Sequence, residues 1–226
     1  MRMTRVKICG LMNNKDIEVC VNAGVHMLGF VTDYPEPVPW NLTTNQAARL
    51  AGNVPPFVGT CVVTGGSVRK VIEIAKAVRP DLIQLHHRET LEETAAIAGQ
   101  MKALGIRTIK ALRITGEGRC DFEIPDPESA VKKLEDTGIA AILADSYTSA
   151  RPGGSGILIK LETFRVMQSG TSLPVILAGG INPLNVAGII RNTSPYAIDV
   201  LTGVEERPGQ KNAEKIDELM RLCMLL

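Results

Sequence analysis

Eight times along the chain a short apolar run gives way to a longer segment of helical period, and no other feature limits the fold as much. The apolar runs are Arg5 to Ile8, Met27 to Val31, Phe57 to Val63, Leu82 to Leu85, Thr108 to Ile114, Ala140 to Ala144, Val175 to Ala178 and Ala197 to Leu201. None alternates cleanly between polar and apolar residues, as befits parallel strands buried on both faces. Helices are predicted at Asn14 to Asn22, Thr44 to Ala51, Val68 to Val78, Leu91 to Leu104, Pro127 to Glu135, Leu161 to Gln168, Pro183 to Arg191 and Ala213 to Leu225. Asn182 ahead of Pro183 marks a helix start; Gly105, after the end that carries Lys102, and Gly138 mark helix stops. An open doubly wound sheet has the same local alternation, but eight repeats in 226 residues suit a closed barrel. Residues 1–226 are therefore expected to form a single (β/α)8 TIM barrel of the α/β class.

Hydrophobic residues make up 45% of the chain and aromatics only 4%, so the core must be aliphatic, as such strands and helices require. Lys plus Arg total 25 against 24 Asp plus Glu, which leaves no global field to hold nucleic acid or an anionic membrane. A small-molecule ligand is expected instead. The five cysteines are odd in number, widely spaced and never paired as C-x-x-C, a pattern that argues against a disulfide framework or zinc site. The start, MRMTRVKICG, lacks an apolar signal region, and no stretch reaches the roughly 20 apolar residues needed to span a bilayer. A cytoplasmic protein, monomeric or homodimeric, is the expectation.

Barrel active sites lie at the C-terminal ends of the strands, which directs attention to the residues there. Glycines cluster after the sixth, seventh and eighth runs: RPGGSG at Arg151 to Gly156, LAGG at Leu177 to Gly180, and TGVE at Thr202 to Glu205. Each alone suits a tight turn, but three clusters on consecutive strand ends point to phosphate, because glycine lets backbone N–H groups approach an anion. Cys9 ends the first run, with Lys7 on the same strand face, where its charge favours a thiolate able to act as a base. A small buried apolar group is the other reading of such a cysteine. Asp145 follows the apolar run AAILA and can serve as a general acid or as a cap for the next residues. Gln84 and His86, Lys110 and Arg113, and Asp199 are placed by their strands where they can face the mouth, as ligand groups or internal ion pairs. His26 falls at the opposite, structural end. The segment DYPEPVPWN, Asp33 to Asn41, reads as an ordered, proline-stiffened loop with Trp40 as wall or anchor.

These motifs occur together, in order and over nearly the whole chain: VKICGL at Val6 to Leu11, LGFV at Leu28 to Val31, IQLH at Ile83 to His86, GGSG at Gly153 to Gly156, LAGGINPLNV at Leu177 to Val186, and DVLTGVE at Asp199 to Glu205. In that set the chain resembles the phosphoribosylanthranilate isomerases of tryptophan biosynthesis. The resemblance implies an Amadori rearrangement of N-(5-phosphoribosyl)anthranilate to the 1-deoxyribulose 5-phosphate derivative, with neither metal nor organic cofactor. It assigns the general base to Cys9 and the general acid to Asp145. It puts the phosphate against Gly179 and Gly180, and Thr202 and Gly203; Gly154 joins them through the glycine argument, and Lys7, Gln84, His86, Arg113, Arg151 and Asp199 are the further substrate-binding candidates.

The chain departs from the family pattern at the loop after the second strand. Where the family carries Ser-Pro-Arg to engage the anthranilate carboxylate, this loop reads YPEPVPW, whose only charges with Asp33 included are Asp33 and Glu36. The carboxylate must then meet a cation from elsewhere, Arg151 or Arg113. His87 and Leu201 are smaller departures from QLHG and DVSSGVE. Two other functions fit the same residues: isomerisation of a related N-glycosylated phosphosugar, and ligand binding by a phosphoribosyl-recognising paralogue without turnover.

Overall fold

Eight parallel strands close on themselves in sequence order, β1 pairing with both β2 and β8. They are β1 (Arg5–Ile8), β2 (Met27–Val31), β3 (Gly59–Thr64), β4 (Leu82–Leu85), β5 (Arg107–Ile114), β6 (Ala141–Ser146), β7 (Val175–Ala178) and β8 (Ala197–Val200). The computed structural model describes residues 3–146 and 158–225. Helices α1 (Asn14–Asn22), α2 (Thr44–Ala51), α3 (Val68–Val78), α4 (Leu91–Ala103), α5 (Pro127–Glu135), α6 (Leu161–Ser169), α7 (Val186–Thr193) and α8 (Ala213–Met224) form the outer layer. The TIM barrel expected from the alternation is the observed architecture.

Local chemistry explains the helix starts. Asn13, Ser67, Asp126 and Asn212 each accept a hydrogen bond from the backbone N–H three residues on, and Thr43 with Gln46 and Thr90 with Glu93 form reciprocal capping boxes. Each such bond satisfies a donor that the first helical turn would leave open.

Two hydrophobic layers result. The larger lies between sheet and helices and includes Ile8, Phe30, Ile83 and Phe164, all fully buried. A smaller cluster, with Ile109, Ala111, Leu143 and Ile176, fills the lower barrel interior with side chains of the opposite strand face.

The structure corrects four sequence expectations. Phe57 lies outside β3: it has φ +72° and is fully exposed in a turn behind two prolines, and the strand starts at Gly59. Helix α7 starts at Val186, three residues beyond Pro183, because Asn182 first builds a turn in which its side chain accepts from Leu184 N–H and its carbonyl from Val186 N–H. A two-stranded hairpin, β9 (Glu205–Arg207) and β10 (Gln210–Lys211), follows β8; its short polar strands give no periodic signal. Lys110 faces the helix layer and not the mouth, with its ammonium 2.7 Å from the Glu89 carboxylate. His26 takes its expected structural place, its Nδ1 accepting from Val6 N–H at 3.2 Å.

Candidate active site

Strand alternation sends Lys7 and Cys9 to one face of β1, and the pairing of Lys7 with Asp199 in register across β8 brings an ammonium, a thiol and a carboxylate together inside the barrel. Lys7 Nζ donates to Asp199 Oδ2 at 2.8 Å, with both side chains buried. Burial alone opposes a charged Lys7, yet Asp199 beside it, with Cys9 and Cys61, holds its pKa above the ordinary lysine value. Burial likewise pushes the Cys9 thiol up, and the Lys7 ammonium pulls against that. The thiol has room because Gly29 lies next to it on β2: a Cβ there would stand 2.8 Å from Cys9 Sγ.

Above this layer a pocket opens at the C-terminal ends of the strands, lined by Cys9, Gln84, His86, Arg113, Asp145 and Asp199 among others. His86 Nε2 lies 3.2 Å from Asp145 Oδ2, and Gln84 Nε2 lies 2.9 Å from His86 Nδ1. With the Gln84 amide donating to Nδ1, Nε2 carries the ring N–H and points at Asp145 Oδ2. Asp199 keeps a second oxygen, Oδ1, that is buried without a hydrogen-bond partner among the described residues. A buried polar atom left open at a pocket wall is a place for a ligand hydroxyl.

The other side of the pocket is glycine-built. Gly179 and Gly180 follow β7 with φ +83° and +64°, a conformation that side chains resist, and a Cβ on Gly179 would meet Ser146 Oγ at 2.2 Å. On Gly203 a Cβ would lie 1.9 Å from the Ile181 carbonyl. Gly179, Gly180, Thr202 and Gly203 all border the pocket, and nothing among the described residues accepts from the Gly180 amide.

The loop after β2 closes the remaining side, ordered as its prolines suggest. Tyr34 OH donates to the His86 carbonyl at 2.7 Å, and Trp40 Nε1 donates to Glu205 Oε1 at 2.9 Å. Glu205 also receives Lys211 Nζ at 2.8 Å, so the hairpin after β8 anchors the tryptophan. Trp40 is both wall and anchor: it lines the pocket and packs over Gly10, where a Cβ would stand 3.0 Å from its ring. Neither acid of the loop enters the pocket. Asp33 turns to the start of α2, accepting from Thr44 N–H at 3.1 Å, and Glu36 stands 3.8 Å from His87 Nδ1.

The family model of N-(5'-phosphoribosyl)anthranilate isomerase matches residues 6–221. The chain belongs to this family. Among isomerases of that name, those of Methanocella arvoryzae and Geobacter metallireducens are 36% and 35% identical to it, over 96% and 97% of this chain and 97% and 98% of theirs. Solved structures agree: the phosphoribosylanthranilate isomerase of Thermotoga maritima superposes with a TM-score of 0.83 at 30% identity, covering 99% of this chain and all 100% of that one. A second, with a TM-score of 0.78 at 30% identity and the same coverage, holds reduced 1-(o-carboxyphenylamino)-1-deoxyribulose 5-phosphate.

In this member of the phosphoribosylanthranilate isomerase family, the pocket gathers most of the residues named from sequence. Cys9, Asp145, Gln84, His86, Arg113, Asp199, Gly179, Gly180, Thr202 and Gly203 line it. Lys7 lies beneath, behind Asp199. Arg151 and Gly154 fall outside the described residues. Sequence reasoning missed Gly29, Tyr34 and Ser146. An isolated glycine inside the apolar run LGFV was the available signal for the first, since it marks a close approach; the other two carry none.

Proposed function

We propose that this chain isomerises N-(5-phosphoribosyl)anthranilate to 1-(2-carboxyphenylamino)-1-deoxyribulose 5-phosphate, an aldose-to-ketose rearrangement in tryptophan biosynthesis. The single observation that carries the reading is the presence of Cys9 and Asp145 in one pocket whose far wall is the glycine-built end of β7 and β8. Asp145 gives its proton to the furanose ring oxygen, the C1–O bond breaks, and an iminium forms. His86 Nε2–H then faces the carboxylate that Asp145 has become. Cys9 acts as the thiolate that Lys7 favours and takes the C2 proton to leave an enolamine, which tautomerises to the ketone. Asp199 Oδ1 accepts from a sugar hydroxyl. The C1–O electron pair leaves with the protonated ring oxygen as the substrate nitrogen forms the iminium, and the remaining changes are proton transfers served by Asp145 and Cys9.

The phosphate belongs against the backbone at Gly179, Gly180, Thr202 and Gly203: positive φ at Gly179 and Gly180, and the lack of a side chain there and at Gly203, expose the main chain. Gly180→Asp should weaken a phosphate-bearing product analogue by roughly tenfold or more, since its carboxylate repels the anion, yet change the affinity of the dephosphorylated analogue little. Equal losses for both, measured by titration calorimetry, would contradict the assignment.

The proposal puts the activity in the cytoplasm, and five buried free thiols support that reading. A monomer or homodimer carries it; the Thermotoga maritima enzyme is dimeric, and the structure of monomers generated from it is 26% identical to this chain. Purified protein mixed with phosphoribosylanthranilate made from ribose 5-phosphate and anthranilate should quench the substrate's fluorescence at an enzyme-dependent rate. No enzyme-dependent change would refute the isomerase reading.

A further inference from the structure

The substrate of the proposed reaction has two anionic ends, and the glycine-built wall after β7 and β8 serves only the phosphate. The ligand held by the solved relative likewise pairs a phosphate with an o-carboxyphenyl group. A carboxylate carried into a closed pocket needs a cation or several donors, because water no longer solvates it. The loop after β2 offers Tyr34, Val38 and Trp40 to the pocket and contributes no Lys or Arg to it. Lys7 is engaged below with Asp199, and Lys70, on α3, donates to the Gly65 carbonyl at 3.2 Å.

Among the described residues lining the pocket, Arg113 is the one Lys or Arg. It stands near the end of β5, in register with Asp145 of β6, and the aromatic side chains of the β2 loop border the same pocket. Its side chain is 5% exposed, whereas its ion-pair partner Asp121 is 31% exposed. Asp121 is fixed in turn, its N–H donating to the Arg113 carbonyl at 2.8 Å. The pair is therefore built from the solvent side inward: a half-buried carboxylate steadies a buried guanidinium that borders the pocket. A guanidinium presents its donors in a planar fork that matches the two oxygens of a carboxylate.

We infer that Arg113 determines specificity by binding the aryl carboxylate of the substrate, with Asp121 holding the guanidinium in place. The ring then lies against Tyr34, Val38 and Trp40, and the phosphate lies at β7 and β8. This inference rests on the isomerase reading, and its test separates the two.

The test compares two substrates in one protein sample: the ribose 5-phosphate adduct of anthranilate and that of aniline, which lacks the carboxylate. The ratio of their kcat/KM values does not depend on the fraction of protein folded. Wild type should favour the anthranilate adduct, and Arg113→Met should lower that preference on the order of 30- to 100-fold, the loss expected of a charge-assisted contact made to one substrate only. Arg113→Lys should restore part of it, because a point charge replaces the fork. If Arg113 acts only by orienting Asp145 or supporting the fold, both adducts suffer alike and the ratio stays within about threefold of wild type, which overturns the proposal. Wild-type turnover of both adducts with equal efficiency also overturns it while leaving the isomerase reading intact. Turnover of neither removes that reading, and the proposal falls with it.

Discussion

Cys9→Ala and Asp145→Asn should each lower kcat by about 100-fold or more while the affinity for a phosphate-bearing product analogue stays near wild type. The reason is positional: both groups line the pocket, and neither belongs to the glycine-bearing segments after β7 and β8 that are proposed to hold the phosphate. The rate should also depend on pH in a definite direction. Burial raises the Cys9 thiol, so the free enzyme holds it protonated at neutral pH, and kcat/KM should climb with pH through and beyond the ordinary cysteine range. In Cys9→Ala that ascending limb should vanish. Single-turnover measurements across pH decide the matter: near-normal turnover by either variant would remove its assigned role, and an unchanged limb in Cys9→Ala would assign the limb to another group.

The second large effect is on stability. Lys110 and Glu89 form an ion pair with both side chains 1% exposed, and Glu89 also accepts from Gly66 N–H at 3.1 Å and His87 N–H at 3.2 Å. Lys110→Met would leave that carboxylate buried with its cation gone, at a cost of about 3 to 5 kcal/mol. For a chain of this size the melting temperature should fall by roughly 10 °C. Adding Glu89→Gln should recover part of the loss, because it removes the uncompensated charge and keeps one of the two oxygens that accept from Gly66 and His87 N–H. Burial works to raise Glu89, but Lys110 and the backbone donors hold it below the usual carboxylate range. A depressed folded-state pKa contributes stability that is full above the unfolded glutamate value and lost as pH falls through the folded one. The gap between wild type and Lys110→Met should therefore narrow in acid. A melting temperature within about 2 °C of wild type at neutral pH would show that the pair contributes little net stability.

Most of the barrel was legible because its signals are local. Helices α1, α2, α3 and α5 start and stop at the residues expected from their caps and period. The misplacements are instructive: Phe57 looked like strand from its hydrophobicity, but no pattern announces a left-handed φ at an aromatic residue. Pro183 suited a first helical position, yet Asn182 spent its side chain and carbonyl on a turn before the helix. Cys9, Lys7, Asp145 and Asp199 were readable because strand alternation fixes their face. Lys110 shows the limit of that rule: it lies on the same strand as Arg113, an odd number of residues away, so only one of the two can face the pocket. The ring of contacts made by Tyr34 and Trp40 was not readable at all, since it joins the β2 loop to His86 and Glu205, far away in sequence.

The anchoring of Trp40 has a practical side. It is the sole tryptophan of the chain, its indole N–H is tied to a carboxylate, and its ring borders the pocket. All ultraviolet emission from indole in this protein thus originates at one wall of one site. Indole emission, excited selectively over the three tyrosines, becomes a label-free optical gauge of what occupies the pocket.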